Sequence, residues 1–286
     1  MIGASVRGAA HVRAQLPNQD ASVAWSPLAG DGLPGILAVS DGHGSAKCFR
    51  SDKGARRAVR VACVLIRQFL DSQANQTNLS TIKRLAEDRL PQLIARAWQD
   101  LIRADWQSHP FSPGELDTLE KKAGTAARQA VEAKPALAYG ATLLSVAVTE
   151  AFMLYLQLGD GDILTVSETG QVERPMPKDE RLLGNETTSL SGDQAWRDFQ
   201  VRFQVTASPP PALILLATDG YANSFRDESS FSKVGSDLLD LLRSEGVDKV
   251  NDNLKVWLAE ASQTGSGDDI TLGLICRMDA LRAGSE

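Results

Sequence analysis

Two apolar runs, Ala141 to Thr149 and Ala151 to Leu158, are separated by the single residue Glu150. Parallel strands would need a crossover of a dozen or more residues between them, usually a helix. A gap this short leaves only an antiparallel hairpin. Other runs continue the series of strands: Ile36 to Ser40, Gly161 to Glu168, Glu173-Arg174, Phe199 to Val205, Ala212 to Thr218 and Ile270 to Arg277. Residues 2–26 read as two more short strands around a loop that holds Asn18, Gln19 and Asp20.

Helical periodicity interrupts these strands in blocks. Ser51 and Asp52 offer an N-cap, and Ala55, Ala58, Val59, Ala62, Ile66, Phe69 and Leu70 then recur at three- and four-residue steps. That pattern predicts a long helix lying on a sheet. A second runs from Leu79 to about Trp106, where Pro91 is expected to kink or split it. A third covers Glu115 to Glu132, and two later ones cover Asp237 to Arg243 and Val247 to Ala261. Neither a repeat nor a linker stands out. The expectation is an α+β fold of mainly antiparallel strands in one domain, 1–286, with a helical segment at about 79–132 inside it.

Three strands meet aspartates at their edges. Ile36 to Ser40 runs into Asp41, Gly42, His43 and Gly44; Ala212 to Thr218 runs into Asp219 and Gly220; Asp268 and Asp269 stand directly before Ile270. One Asp-Gly pair is a common turn former. Three strand-edge carboxylates together point to oxygen ligands for a hard divalent cation such as Mg²⁺ or Mn²⁺. His43, flanked by glycines beside a candidate ligand, is a candidate acid. His11 reads as a structural partner of the Asn18 to Asp20 loop.

Charge and cysteine content narrow the class. A net charge of −6 argues against a nucleic-acid binder held by phosphate contacts. Cys48, Cys63 and Cys276 form neither a CxxC pair nor an even disulfide framework. Residues 1–10 lack a signal-peptide apolar block, and no stretch approaches the roughly 20 apolar residues of a membrane helix. The expectation is a cytoplasmic protein, bacterial from its lean layout, with no membrane or nucleic-acid partner. No feature of the sequence fixes an oligomeric state.

Six short motifs in order carry a resemblance: Asn18 to Asp20, Ser40 to Gly44, Tyr139 to Thr142, Leu158 to Asp162, Ala217 to Gly220 and Gly267 to Thr271. Together they resemble the metal-dependent protein phosphatase family (protein phosphatase 2C type), most closely a compact bacterial subgroup, over residues 5–277. The resemblance implies a four-layer αββα sandwich, two antiparallel sheets flanked by helices. It implies a serine/threonine phosphatase that uses a water bridging two Mn²⁺ or Mg²⁺ ions on a phosphorylated protein substrate. Asp41 would then bridge the ions, the Gly42 carbonyl would help hold the second, and Asp219 and Asp268 would hold the first. Asp20 would hydrogen-bond metal-bound water, and His43 would protonate the leaving oxygen. Asp160 is either a turn former or a ligand for a third ion, and Asp269 sits behind the ligands.

The chain departs from the family at two points. Gln19 stands where an acidic residue is frequent, and Gln15 where many members carry a phosphate-binding arginine, leaving Arg13 as the nearest substitute. Two alternatives follow. One is a catalytically weak adaptor of the same fold that binds phosphoproteins. The other is a haloacid-dehalogenase-like phosphotransferase with Asp160 as nucleophile and Asp162 as acid, which requires a parallel sheet. The polar segment Arg181 to Ser191 is expected to be a mobile flap beside the site, unanchored by apolar periodicity.

Overall fold

Apolar residues fill both faces of most strands, and a stack of four layers explains why. The computed structural model describes residues 1–27, 32–178, 187–206 and 209–282. It opens with β1 (Ile2–Val6), α1 (Ala9–Arg13), β2 (Ala21–Trp25) and β3 (Gly35–Ser40). Four helices follow: α2 (Ser51–Ser72), α3 (Leu79–Ser108), α4 (Pro113–Ala123) and α5 (Thr125–Ala133). Next come β4 (Leu143–Val148), β5 (Phe152–Leu158), β6 (Asp162–Val166), β7 (Val172–Glu173), β8 (Gln200–Val205) and β9 (Leu213–Ala217). The chain finishes with α6 (Asp219–Ala222), α7 (Glu228–Glu245), α8 (Val247–Thr264), β10 (Ile270–Cys276) and α9 (Met278–Arg282).

The strands form two five-stranded sheets, ordered β1-β10-β9-β6-β7 and β2-β3-β4-β5-β8. Every ladder among the described residues is antiparallel, including the predicted β4–β5 hairpin. The parallel sheet that a haloacid-dehalogenase-like fold needs is therefore excluded as an account of these strands. Side chains alternate between the two faces of each strand. Ile36 and Ala38 of β3 pack towards the helices with Ala55, Ala62 and Trp98. Leu37 and Val39 point the other way and meet Ile214 and Leu216 of β9 between the sheets. Leu213 and Leu215 in turn face Leu238, Leu239 and Leu254 of α7 and α8. The order of layers is helix, sheet, sheet, helix, as the resemblance implies.

Several local expectations need correction. Pro91 lies inside an unbroken 30-residue α3. Its ring removes only the bond to Glu87, whose residue is partly exposed, so the freed carbonyl can turn to water. The third helical stretch is two helices, divided at Gly124, whose φ of 83° no ordinary residue holds cheaply. Ser51 and Asp52 lie inside α2, and the N-cap position belongs to Arg50. Helix α7 begins nine residues earlier than periodicity suggested, because Asp227 caps it by accepting from Ser230 N at 2.8 Å.

Arg50 is 6% exposed and organises the approach to the site. Its guanidinium forks onto Glu115 at 2.8 and 3.0 Å and donates to the Tyr139 hydroxyl at 2.8 Å. Tyr139 donates to Asp105 at 2.8 Å and precedes Gly140, whose carbonyl accepts from His43 N at 3.1 Å. Hydrogen bonding from Arg50 holds the Glu115 carboxyl at about 2, against an ordinary 4.5. A depressed carboxyl contributes stability above its unfolded value and loses it as pH falls towards the folded one. Glu115→Gln should therefore melt below the parent protein at pH 7. The gap should close between pH 4.5 and about 2. A gap unchanged down to the lower limit would show that the pair contributes nothing through ionisation.

Candidate metal centre

Loops at one end of the sheet stack carry the acidic groups. Asp41 leaves β3, Asp160 lies in the turn between β5 and β6, and Asp219 opens α6 directly behind β9. One carboxylate oxygen from each of these three lies within 4.8 Å of the others. Asp268 precedes β10, and its oxygen groups with His11 and Asp269 instead, although its charge still reaches Asp41 and Asp219. The structure thus brings Asp160 into the tight triad and sets Asp268 at its edge.

Backbone contacts fix the corner at Asp41. Thr142 N donates to Asp41 O at 2.8 Å, and Asp41 N donates back to Thr142 Oγ1 at 3.0 Å. Ser40 Oγ donates to Thr142 O at 2.6 Å. A Cβ at Gly42 would lie 2.6 Å from Gln19 O and 2.8 Å from Ser51 O, so only glycine passes between them. His43 lies in the same turn, and its Nε2 is buried without a hydrogen-bond partner.

Asp20 sits below this corner. Its Oδ2 accepts from Thr218 Oγ1 at 2.8 Å, and that hydroxyl accepts from Thr271 N at 2.9 Å. Among the described residues its Oδ1 is buried with no hydrogen-bond partner, as is Gln19 Oε1. Burial pushes the Asp20 carboxyl up to about 8, against the pull of the Thr218 hydrogen bond. Burial likewise raises Asp41 well above the usual carboxylate range, and the charges of Asp20, Asp219 and Asp268 add to it. Asp219 is pushed up to about 6 by burial and by Asp160 and Asp268. Burial lowers His43, while the charge of Asp160 opposes that shift.

Such a set fits a divalent cation. The carboxylates raise one another's cost of ionisation, and none of Asp41, Asp160 and Asp219 has a lysine or arginine ion pair among the described residues. An ion of charge +2 reverses that logic and gives the unpartnered oxygens something to bind.

The remaining candidates fall outside the triad. Asp269 is 2% exposed and accepts from Gly8 N and Gln19 N, both at 2.6 Å, and bonds His11 Nδ1 at 2.8 Å. His11 therefore holds the Asn18 to Asp20 loop only through Asp269. Arg13 is exposed at the end of α1, with its guanidinium passing near Gly267. Asp162 is tied to Arg174 at 2.6 Å. Of the expected flap, residues 181–186 lie outside the described residues. The end that is described is anchored: Leu190 is fully buried and its N donates to Ala141 O at 3.0 Å. Sequence reasoning passed over Thr142 and Thr218. For Thr218 the available signal was a β-branched hydroxyl at a strand edge directly before Asp219; Thr142 meets Asp41 only through the pairing of distant segments.

The sequence profile of the protein phosphatase 2C family matches residues 7–259. No curated protein matches the chain in sequence. Among solved structures, the serine/threonine phosphatase Stp1 from Staphylococcus aureus is 14% identical with a TM-score of 0.57, over 97% of this chain and 95% of that one. The catalytic domain of the serine/threonine phosphatase PstP, solved with two manganese ions, is 16% identical with a TM-score of 0.56, over 95% and 94%. The PstP/Ppp phosphatase of Mycobacterium tuberculosis is 17% identical with a TM-score of 0.54, over 95% of each chain. At such identities the likeness is one of fold.

Proposed function

The chain belongs to the protein phosphatase 2C family and is a protein phosphatase, and from that premise we propose that it removes phosphate from phosphoserine and phosphothreonine in protein substrates with the help of Mn²⁺ or Mg²⁺. The observation that carries this proposal is the convergence of Asp41, Asp160 and Asp219 within 4.8 Å. Asp41 would be shared between two ions, Asp219 and Asp268 would hold the first, and the Gly42 carbonyl would help hold the second. Asp160 would take a third. When bound, such ions neutralise the phosphoryl oxygens and acidify the attacking water.

The chain's own groups supply the rest. Asp20 Oδ1, buried and without a partner among the described residues, would accept a hydrogen bond from the attacking water. Thr218 holds its other oxygen still. His43 Nε2, without a partner among the described residues, can give a proton to the departing serine or threonine oxygen; burial loosens the ring's hold on that proton, and the nearby Asp160 charge opposes the shift. Arg13 is the candidate to meet the substrate phosphate. A reducing, cytoplasmic workplace belongs to the same proposal, supported by three free cysteines. No helix among the described residues is long and apolar enough to cross a membrane.

The direct test is hydrolysis of a phosphoserine peptide with added Mn²⁺ or Mg²⁺, then with excess chelator. Turnover should appear with metal and stop with chelator. Turnover that survives the chelator, with bound metal excluded by elemental analysis, would overturn the mechanism. Binding of the phosphopeptide with no turnover under any metal would favour the adaptor alternative.

A further inference from the structure

His11, Asp268 and Asp269 form a second cluster, with one ligand atom from each inside 4.8 Å of the others. Asp269 is the anchor. Each of its two oxygens already accepts a short backbone N–H bond, Oδ1 from Gly8 and Oδ2 from Gln19. The hydrogen on the third contact must then sit on His11 Nδ1, which donates to Asp269 at 2.8 Å. In the neutral ring this leaves a lone pair on Nε2.

That nitrogen makes no hydrogen bond among the described residues. It stands 3.7 Å from Asp268 Oδ1, too far for a hydrogen bond. Two donors each about 2.0–2.2 Å from one ion stand roughly 3 to 4 Å apart, depending on the angle between them. The observed separation falls in that span. The His11 side chain is 13% exposed and that of Asp268 is 50% exposed, so the pair opens to solvent on one side. A carboxylate behind the imidazole, fixing its tautomer and orientation, is the usual support of a metal-ligating histidine.

We propose that His11 Nε2 and Asp268 bind a divalent transition-metal ion together, with Asp269 orienting the imidazole. This rests on Asp268 being an ion ligand, as in the function proposed above, and adds a nitrogen to an otherwise all-oxygen set. An imidazole ligand selects among ions: Mn²⁺ and its first-row neighbours accept it, whereas Mg²⁺ prefers oxygen and water. His11 would thus tune which metal the phosphatase holds.

The test is pulsed electron paramagnetic resonance on the full chain loaded with Mn²⁺ alone, grown with natural-abundance or ¹⁵N-labelled histidine. Bound Mn²⁺ should show coupling to a directly ligated imidazole nitrogen. His43→Ala should keep that coupling. His11→Asn should lose it, because the asparagine amide still donates towards Asp269 but offers nothing at the Nε2 position. Equilibrium dialysis should show His11→Asn weakening one Mn²⁺ site by about 10–100-fold with Mg²⁺ binding little changed. Bound Mn²⁺ without nitrogen coupling in the parent protein would overturn this inference and leave the proposed function standing. Coupling that persists in His11→Asn would overturn it equally. No Mn²⁺ bound at all would sink both.

Discussion

Asp41→Asn should lower metal-dependent hydrolysis of a phosphoserine peptide by more than about 10²-fold, beyond what loss of a merely supporting partner costs at a metal site. The same substitution should raise the melting temperature of the metal-free protein. Both effects come from one source. Asp41 is half-buried; loss of solvent raises its carboxyl well above the ordinary range, and the charges of Asp20, Asp219 and Asp268 add to it. A raised folded value means that the ionised form is disfavoured in the fold, and at neutral pH that difference is a cost to stability. Asparagine has nearly the same shape and no charge, so it relieves the repulsion. It also removes the negative charge that would attract a cation, so Mn²⁺ should no longer raise the melting temperature. Melting curves of both proteins, with chelator and with Mn²⁺, check the pair of effects. A variant that melts lower without metal would show that Asp41 is paired by something other than an ion.

His43→Ala should divide substrates by their leaving groups. A serine alkoxide needs a proton as it departs, and general-acid help is typically worth ~10²–10⁴-fold. An aryl phosphate leaves as a stable phenolate and needs little. The loss should therefore be large on a phosphoserine peptide and small on the aryl ester. His43 Nε2 is buried without a partner among the described residues, in the turn that Gly140 holds, which leaves this nitrogen free to face a substrate. Equal losses on both substrates would assign His43 to positioning instead.

How much of this could be read from the chain depends on where the determining forces lie. Strands β3, β4, β5 and β9 were legible because both of their faces are covered, which demands unbroken apolar runs. The one-residue link at Glu150 then dictated the direction of β4 against β5. Helix α1 left no such trace. It has no buried residue and is pinned from outside, by Gly8 N on Asp269 and Ala9 N on Ser262 Oγ at 3.0 Å. The break at Gly124 was hidden among good helix formers.

At the site, strand edges gave the identities of the aspartates but not their grouping. Asp268 and Asp269 are adjacent, yet one is exposed and the other is sealed beneath Gly8 and Gln19. That choice is made by the pleat of β10 and by contacts more than 200 residues away in sequence. Periodicity cannot report it.

The sheet order has a consequence for synthesis. Strand β10 lies between β1 and β9, pairing Ile2 with Leu274 and Ala217 with Leu272. Until β10 has left the ribosome, β1 has no partner in its sheet, and β9 presents an open edge. Exposed edges of that kind recruit other chains, so the nascent protein passes through a window in which a chaperone has work to do. Asp268, an ion ligand in the function proposed above, emerges just before β10, so the proposed centre would be incomplete throughout that window. On that reading the phosphatase stays switched off until β10 is made, with no half-built enzyme acting on phosphoproteins before then.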